Sequence, residues 1–325
     1  MSKIAELLEN IPKLNMSVKP TPIVKLERIS NKYDSNIYCM RDDLTGFAFG
    51  GNKTRKLDFL IADALKKGKD TIIGIGANQS NFCRMAAAAA KVNAMEAHLV
   101  LAGTEPEKPT GNLLVDQLFG AIIHHIDTTD DNVLLAKAKE LEKQLMTQGR
   151  KVYNMPAGGS TSVGILGYVD AFDEIMQYSE RTGIHFSTIF HSSGTGGTQS
   201  GLVLGQQIAG WKGKIIGISV GRSCSELDQL ISNLINNATQ YLSIVPENQG
   251  KIIIDDNYFG KCYGARTVEA YEAITTFANY EGIMLDHVYT GKGASGMIDY
   301  LKKGLINKTE NILFIHTGGN IELFE

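Results

Sequence analysis

Thr188-Ile189-Phe190-His191-Ser192-Ser193-Gly194-Thr195-Gly196-Gly197-Thr198-Gln199-Ser200-Gly201 is the stretch that decides the fold. An apolar run over 188–191 enters a loop rich in glycine and hydroxyl residues. A helical pattern follows, and then a second apolar run over 214–220. Strand, loop, helix and strand in that order imply parallel strands joined by a crossover helix. Working outward, the same alternation recurs. Strands are expected at 37–40, 71–75, 98–101, 121–123 and 312–316, and helices at 57–66, from Asn81 through Ala90, and at 132–148. The class is α/β, with parallel sheets flanked by helices. In such sheets ligands sit at the carboxyl ends of strands, where the polar and glycine-rich loops fall.

Composition narrows the function. The chain has 325 residues, 43% hydrophobic and 21% charged, the balance of a soluble globular protein of one large or two smaller domains. A net charge of −3 and the lack of any Lys/Arg run argue against a nucleic-acid partner. The apolar segments are short and interrupted, so no membrane span is expected, and Met1 to Glu6 contains no secretory-type apolar core. Cys39, Cys83, Cys224 and Cys262 show no CxxC spacing, which argues against a metal site or a disulfide scaffold and for a cytoplasmic location. Glycines at 50 and at 158–159 mark the expected crossings between domains, with the active site in the cleft between them.

Several segments can carry chemistry. The loop over 193–201 opens a helix, so its backbone N–H groups suit a phosphate; the alternative is a tight turn that binds nothing. It lacks the closing Gly-Lys-Ser/Thr of a nucleotide-binding P-loop. Gly50-Gly51-Asn52-Lys53-Thr54-Arg55-Lys56 sets three cations at a helix start, where the helix dipole disfavours them, so an anionic partner is implied. Lysine also attacks carbonyl cofactors when its pKa is lowered; the alternative is a solvated first turn. Asn78-Gln79-Ser80-Asn81 can cap the next helix and present N–H groups to a carboxylate, or cap only. Tyr289-Thr290-Gly291-Lys292 and Thr317-Gly318-Gly319 are both read as strand ends, offering a phenol for proton transfer and a threonine for a ring nitrogen. Gly221-Arg222-Ser223 is a candidate anion contact. Trp211 and His124-His125 read as structural.

Together these residues resemble one family, the fold-type II pyridoxal-phosphate enzymes of the aminocyclopropane-carboxylate deaminase and D-cysteine desulfhydrase group. The motifs carrying the resemblance are Gly50 to Leu57, Gln79-Ser80-Asn81, Gly158-Gly159-Ser160, Gly164-Ile165-Leu166-Gly167-Tyr168, the loop over 193–201, Asp255-Asp256 with Tyr258, Tyr263-Gly264 and Tyr289 to Lys292. The resemblance implies a tryptophan synthase β-like fold of two domains, each with a mostly parallel twisted sheet. Residues 1–50 and 160–325 would form the large one and 51–159 the small one. It implies pyridoxal 5'-phosphate as cofactor, a small amino acid as substrate, no metal and a homodimer.

By the same resemblance Lys53 holds the cofactor aldehyde covalently and moves the α-proton. Lys56 and Gly194, Thr195, Gly196, Gly197 and Thr198 hold the phosphate. Asn81 bonds the ring hydroxyl, and Ser80, Asn81 and Gln79 take the substrate carboxylate, with Ser80 also catalytic. Tyr263 and Tyr289 line the substrate side, Tyr289 as an acid–base group. Thr290 and Thr317 are assigned to the cofactor, and Arg55 receives no role. The deaminases carry glutamate after the tyrosine, where this chain has Thr290. The desulfhydrases carry histidine after the Ser-Asn pair, where this chain has Phe82. The implied activity is α,β-elimination, from D-cysteine to pyruvate, ammonia and hydrogen sulfide. The alternatives are L-cysteate sulfo-lyase, aminocyclopropane-carboxylate deaminase, a non-catalytic binding protein of the same fold, and a phosphate-binding enzyme without pyridoxal.

Overall fold

Pairing of the apolar runs builds two sheets. The computed structural model describes residues 1–246 and 250–324. The first part of the chain forms α1 (Lys3–Leu8), β1 (Ile23–Lys25), α2 (Glu27–Tyr33) and β2 (Asn36–Arg41). Next come α3 (Asn52–Lys66), β3 (Thr71–Ala77), α4 (Asn81–Val92), β4 (Glu96–Ala102), α5 (Gly111–Leu118), β5 (Ile122–Ile126), α6 (Asp131–Thr147) and β6 (Val152–Met155). The last part forms α7 (Leu166–Thr182), β7 (Phe186–Ser193), α8 (Gly197–Ala209), β8 (Lys214–Ser219), α9 (Cys224–Leu242), β9 (Ile253–Asp255), α10 (Val268–Glu281), α11 (Thr290–Lys302) and β10 (Asn311–His316).

Six strands run in the order β1-β2-β10-β7-β8-β9, and four in the order β5-β4-β3-β6. Among the described residues, only the β1–β2 pair is antiparallel. The central strands β7 and β10 are buried on both faces, which explains their unbroken apolar runs. The chain leaves the larger sheet after β2 and rejoins it at β7. Gly50-Gly51 and Gly158-Gly159 lie on these two connections.

Two sequence readings change. The helix expected at 57–66 begins at Asn52, because its first turn is buried although polar: Asn52, Thr54, Arg55 and Lys56 are all inside. Apolar periodicity therefore starts one turn too late to mark it. Tyr289 does not end a strand. It caps α11 after an irregular stretch held by Asp286, whose carboxylate accepts N–H bonds from Val288, Tyr289 and Thr290 at 2.7–2.8 Å.

Arg55, without a role in the sequence, anchors α3. Its guanidinium is 1% exposed and pairs with Asp42 at 2.8 Å and Glu174 at 2.9 Å, and Tyr168 also donates to Asp42. This ties the start of α3 to the end of β2 and to α7. Arg55→Met strands the buried Asp42 carboxylate and removes the partner of the half-buried Glu174, so unfolding free energy should fall by about 3–5 kcal/mol in chemical denaturation. A loss below about 1 kcal/mol would show that the network is not structural.

Candidate active site

A cavity of about 430 Å³ opens where the ends of β3, β7, β8 and β10 meet the starts of α3, α4 and α8. That volume suits a small-molecule site. Lys53, Lys56, Ser80, Asn81, Gly194 to Thr198, Tyr263, Tyr289 and Thr317 all line it.

Backbone contact between glycines brings two of its walls together. A Cβ on Gly318 would lie 2.7 Å from the Cα of Gly51, and Asn52 N–H donates to the Thr317 carbonyl at 3.0 Å. Both glycines have φ in the range disfavoured for other residues, +123° and +85°. The loop after β10 thus lies against the start of α3, with Thr317 and Lys53 on one cavity.

Lys53 is half-buried, with Nζ donating to Asn52 Oδ1 at 2.8 Å and lying 5.8 Å from the centre of the Tyr289 ring. Burial, helped by the Arg84 charge and opposed by Asp286, lowers its pKa to about 8. A lysine so placed is a nucleophile near neutral pH. The neutral form gains with rising pH. Covalent loading of the apoprotein with an aldehyde should therefore accelerate with pH and level off above about 8. Stopped-flow absorbance reads this rate, and a midpoint near the ordinary lysine value of 10.5 would contradict it.

One end of the cavity is rich in hydrogen-bond donors. The 13-residue helix α8 begins after Gly196, held at φ +77°, with no side-chain cap, so its first N–H groups are left for a ligand. Lys56 is 1% exposed and donates to the Gly158 carbonyl at 3.1 Å; burial, with the Lys53 charge, depresses its pKa well below normal. A Cβ on Gly197 would come within 2.7 Å of Lys56 Nζ, so the glycine permits the approach. Ser193 Oγ is buried without a partner. Asn52 Nδ2 donates to Thr198 Oγ1 at 3.0 Å, and Ser160 and Thr195 share a hydroxyl hydrogen bond at 2.7 Å. This donor set fits a phosphate dianion and, with Lys53 on the same cavity, fits a phosphorylated aldehyde cofactor.

Ser80 caps α4, accepting from Cys83 N–H at 3.2 Å, and Asn81 and Phe82 follow on the cavity wall. Phe82 packs under Gly159, whose added Cβ would meet the ring at 2.8 Å, so it shapes the wall without a polar contact. Tyr263 and Tyr289 touch through their hydroxyls. Burial, and then Tyr263, raises the Tyr289 pKa well above normal, which keeps its phenol protonated as a donor.

Two residues assigned to the site fall elsewhere. Thr290 is fully buried and its hydroxyl donates to Asp286 Oδ1 at 2.6 Å, outside the cavity wall. The turn that Asp286 organises points its side chain inward to the protein, so a glutamate there would meet Asp286 rather than the ligand. Gln79 is also off the wall. Its side-chain oxygen accepts from Asn112 N–H at 2.8 Å and its Nε2 donates to the Thr110 carbonyl, holding the start of α5. Arg222, the candidate anion contact, lines the cavity at its mouth, paired with Asp131 at 2.6 Å. Sequence reasoning missed Asp286 and Glu322. Glu322 works through a contact remote in sequence, and Asp286 through side-chain bonds to the next turn of backbone, which no apolar pattern marks.

Trp211 packs on Phe172, and His124 stacks on His98, within hydrogen-bond reach at 3.0 Å. Among the described residues, no helix is long and apolar enough to cross a membrane, and no group of three acidic, His or Cys residues is placed to hold a metal.

Comparison with known proteins identifies the family. A protein of Pyrococcus horikoshii, provisionally named a 1-aminocyclopropane-1-carboxylate deaminase, is 40% identical over 317 residues, covering 98% of this chain and 94% of that one. A similarly named protein of Pyrococcus abyssi is 38% identical over 317 residues, covering 98% of this chain and 94% of that one. A crystal structure described as an ACC deaminase homologue superposes with a TM-score of 0.91 at 39% identity, covering 98% of this chain and 95% of that one. At 15% identity, a fungal L-serine ammonia-lyase from Rhizomucor miehei shares the fold with a TM-score of 0.72, over 95% of this chain and 96% of that one. The sequence matches the family described as pyridoxal-phosphate dependent enzyme over residues 14–318. The chain therefore belongs to the pyridoxal-phosphate dependent enzymes, and its cofactor is pyridoxal 5'-phosphate.

Proposed function

We propose that the protein catalyses α,β-elimination from a three-carbon amino acid with a β leaving group, with D-cysteine as first substrate. Water and D-cysteine would give pyruvate, ammonia and hydrogen sulfide. Bound in the cavity, pyridoxal phosphate supplies an electrophilic aldehyde and an electron sink. Lys56, the loop at the start of α8 and Ser193 would hold its phosphate, Asn81 its ring hydroxyl, and Thr317 its ring nitrogen. Lys53 would carry its aldehyde, then accept the substrate α-proton at Nζ. Ser80 and the first N–H groups of α4 would bind the substrate carboxylate. The Tyr289 phenol, backed by Tyr263, would hold the proton given to the departing sulfur. The smaller sheet with its helices, residues 51–159, would form the mobile side of the cleft.

The observation that supports elimination most is the absence of an available carboxylate at the inner end of the cavity, among the described residues. The acidic residues on the wall, Asp131 and Glu226, are at the mouth, bonded to Arg222 and Ser223. Asp286, behind Gly319, is already saturated by the Tyr289 turn. A neutral threonine leaves the ring nitrogen unprotonated, which suits loss of a good leaving group better than opening a cyclopropane. The names of the relatives favour a second reading, deamination of 1-aminocyclopropane-1-carboxylate. Arg222 at the mouth keeps L-cysteate as a third.

Side-by-side turnover of D-cysteine, L-cysteate and 1-aminocyclopropane-1-carboxylate, read as 2-oxo acid released, tests the reading. D-cysteine should be fastest, and a clear preference for either other compound would overturn the choice. The same reading includes a cytoplasmic homodimer, which light scattering of purified protein checks for subunit number.

A further inference from the structure

The Asn81 amide is held at both ends by charged side chains. Its Oδ1 accepts from Arg84 Nη1 at 2.8 Å and from Asn112 Nδ2 at 3.1 Å, which uses both of its lone pairs. Its Nδ2 donates to Glu322 Oε1 at 3.2 Å, which uses one of its two hydrogens. Arg84 is 1% exposed, Asn112 fully buried, Asn81 6% exposed and Glu322 9% exposed. Arg84 is itself fixed: Nη1 also donates to Asn112 Oδ1, and Nη2 to the Gly50 carbonyl at 3.3 Å. Gln79 completes the frame, its carbonyl accepting from Asn112 Nδ2 at 2.9 Å.

This arrangement has one sense only. A guanidinium offers donors and no acceptor, and a carboxylate offers acceptors. Turning the amide over would set its NH₂ against Arg84 and Asn112, and its oxygen against the Glu322 carboxylate. Both contacts would become repulsive inside the protein, where such mismatches are expensive. The remaining N–H of Asn81 is the one left for the cavity that Asn81 lines.

We propose that Glu322, acting with Arg84, is a positioning residue that locks the Asn81 amide so that it presents a donor, not an acceptor, to the cofactor. Glu322 lies in the 3₁₀ turn Asn320–Phe324, which packs on α5. The cofactor ring hydroxyl is an acceptor when ionised, so a fixed donor strengthens binding, while an amide free to flip spends part of its time offering oxygen. The proposal rests on the reading that Asn81 meets the cofactor, and the experiment separates the two.

The test is a double-mutant cycle on the full-length apoprotein with Glu322→Gln, Asn81→Ala and the two combined. Pyridoxal phosphate affinity is measured by fluorescence titration, the visible absorbance maximum of the bound cofactor is recorded, and thermal unfolding of each apoprotein is followed. Glutamine keeps the shape of the side chain but can turn with Asn81. Glu322→Gln should weaken binding roughly tenfold and shift the absorbance maximum, the scale of one charge-assisted hydrogen bond. In the Asn81→Ala background the same substitution should change neither, because its partner is gone. Glu322→Asp should restore part of the affinity, since it retains the charge.

An equal loss in both backgrounds would show that Glu322 acts on stability or on another group and would overturn the proposal, whatever its effect on unfolding. If Asn81→Ala weakens binding and Glu322→Gln does not, the lock fails while the reading of Asn81 stands. If Asn81→Ala changes nothing, that reading fails and the lock with it.

Discussion

Replacing Lys53 by alanine is expected to lower turnover by roughly 10⁴-fold or more while leaving the fold intact. The size follows from the two tasks this side chain would perform, covalent attachment of the cofactor and proton transfer, which act as a unit. The intact fold follows from its setting. Lys53 is only half-buried, its Nζ bonds to its neighbour Asn52, and burial with the Arg84 charge already lowers its pKa to about 8. Removing such a group relieves charge crowding with Lys56 and Arg84. The variant should still take up pyridoxal phosphate through the α8 loop, but release it on dialysis. Steady-state turnover, unfolding and cofactor retention after dialysis together check the expectation. Residual turnover within tenfold of the parent would contradict it.

Lys56→Met should separate binding from stability in opposite directions. The Lys56 ammonium is 1% exposed, has a carbonyl partner at 3.1 Å and sees the like charge of Lys53. Burying a cation in that state is unfavourable for the apoprotein. Methionine has similar length and no charge, so the apoprotein should melt at the same temperature or higher. Affinity for pyridoxal phosphate should fall by about 3 kcal/mol, roughly a hundredfold, because a charge-assisted contact to the phosphate is lost. Titration of both apoproteins with the cofactor measures this. If the variant binds as tightly but melts lower, Lys56 is a structural residue and the phosphate lies elsewhere. A site whose donors destabilise the protein in order to hold a ligand is the usual trade between stability and function.

The α/β class was legible in the sequence because a parallel sheet buried on both faces writes itself as apolar runs, such as 188–191 and 312–316. The cavity was legible where its chemistry is local. Lys53 and Lys56 lie on one turn, Ser80 and Asn81 on one cap, and the glycine-rich loop on nine consecutive residues. It was not legible where one side chain builds another's surroundings. Asp286 replaces strand pairing with side-chain to backbone bonds, so Tyr289 looked like a strand end, and Thr290 looked available when its hydroxyl was already bound. Glu322 meets Asn81 across 241 positions of sequence, a distance over which no periodicity or motif carries information. The start of α3 was misplaced for a related reason: its first turn is buried although polar, with Arg55 paired to Asp42 and Glu174.

Borohydride reduction of the purified protein with its bound cofactor, followed by peptide mass mapping, tests the identity of the covalent lysine most directly. Reduction fixes the cofactor on whichever amine carries it. A phosphopyridoxyl mass on the peptide containing Lys53, and its disappearance in Lys53→Ala, is the predicted result. A label on Lys56 or on the buried Lys292, or no label on a protein that turns over its substrate, would contradict the account.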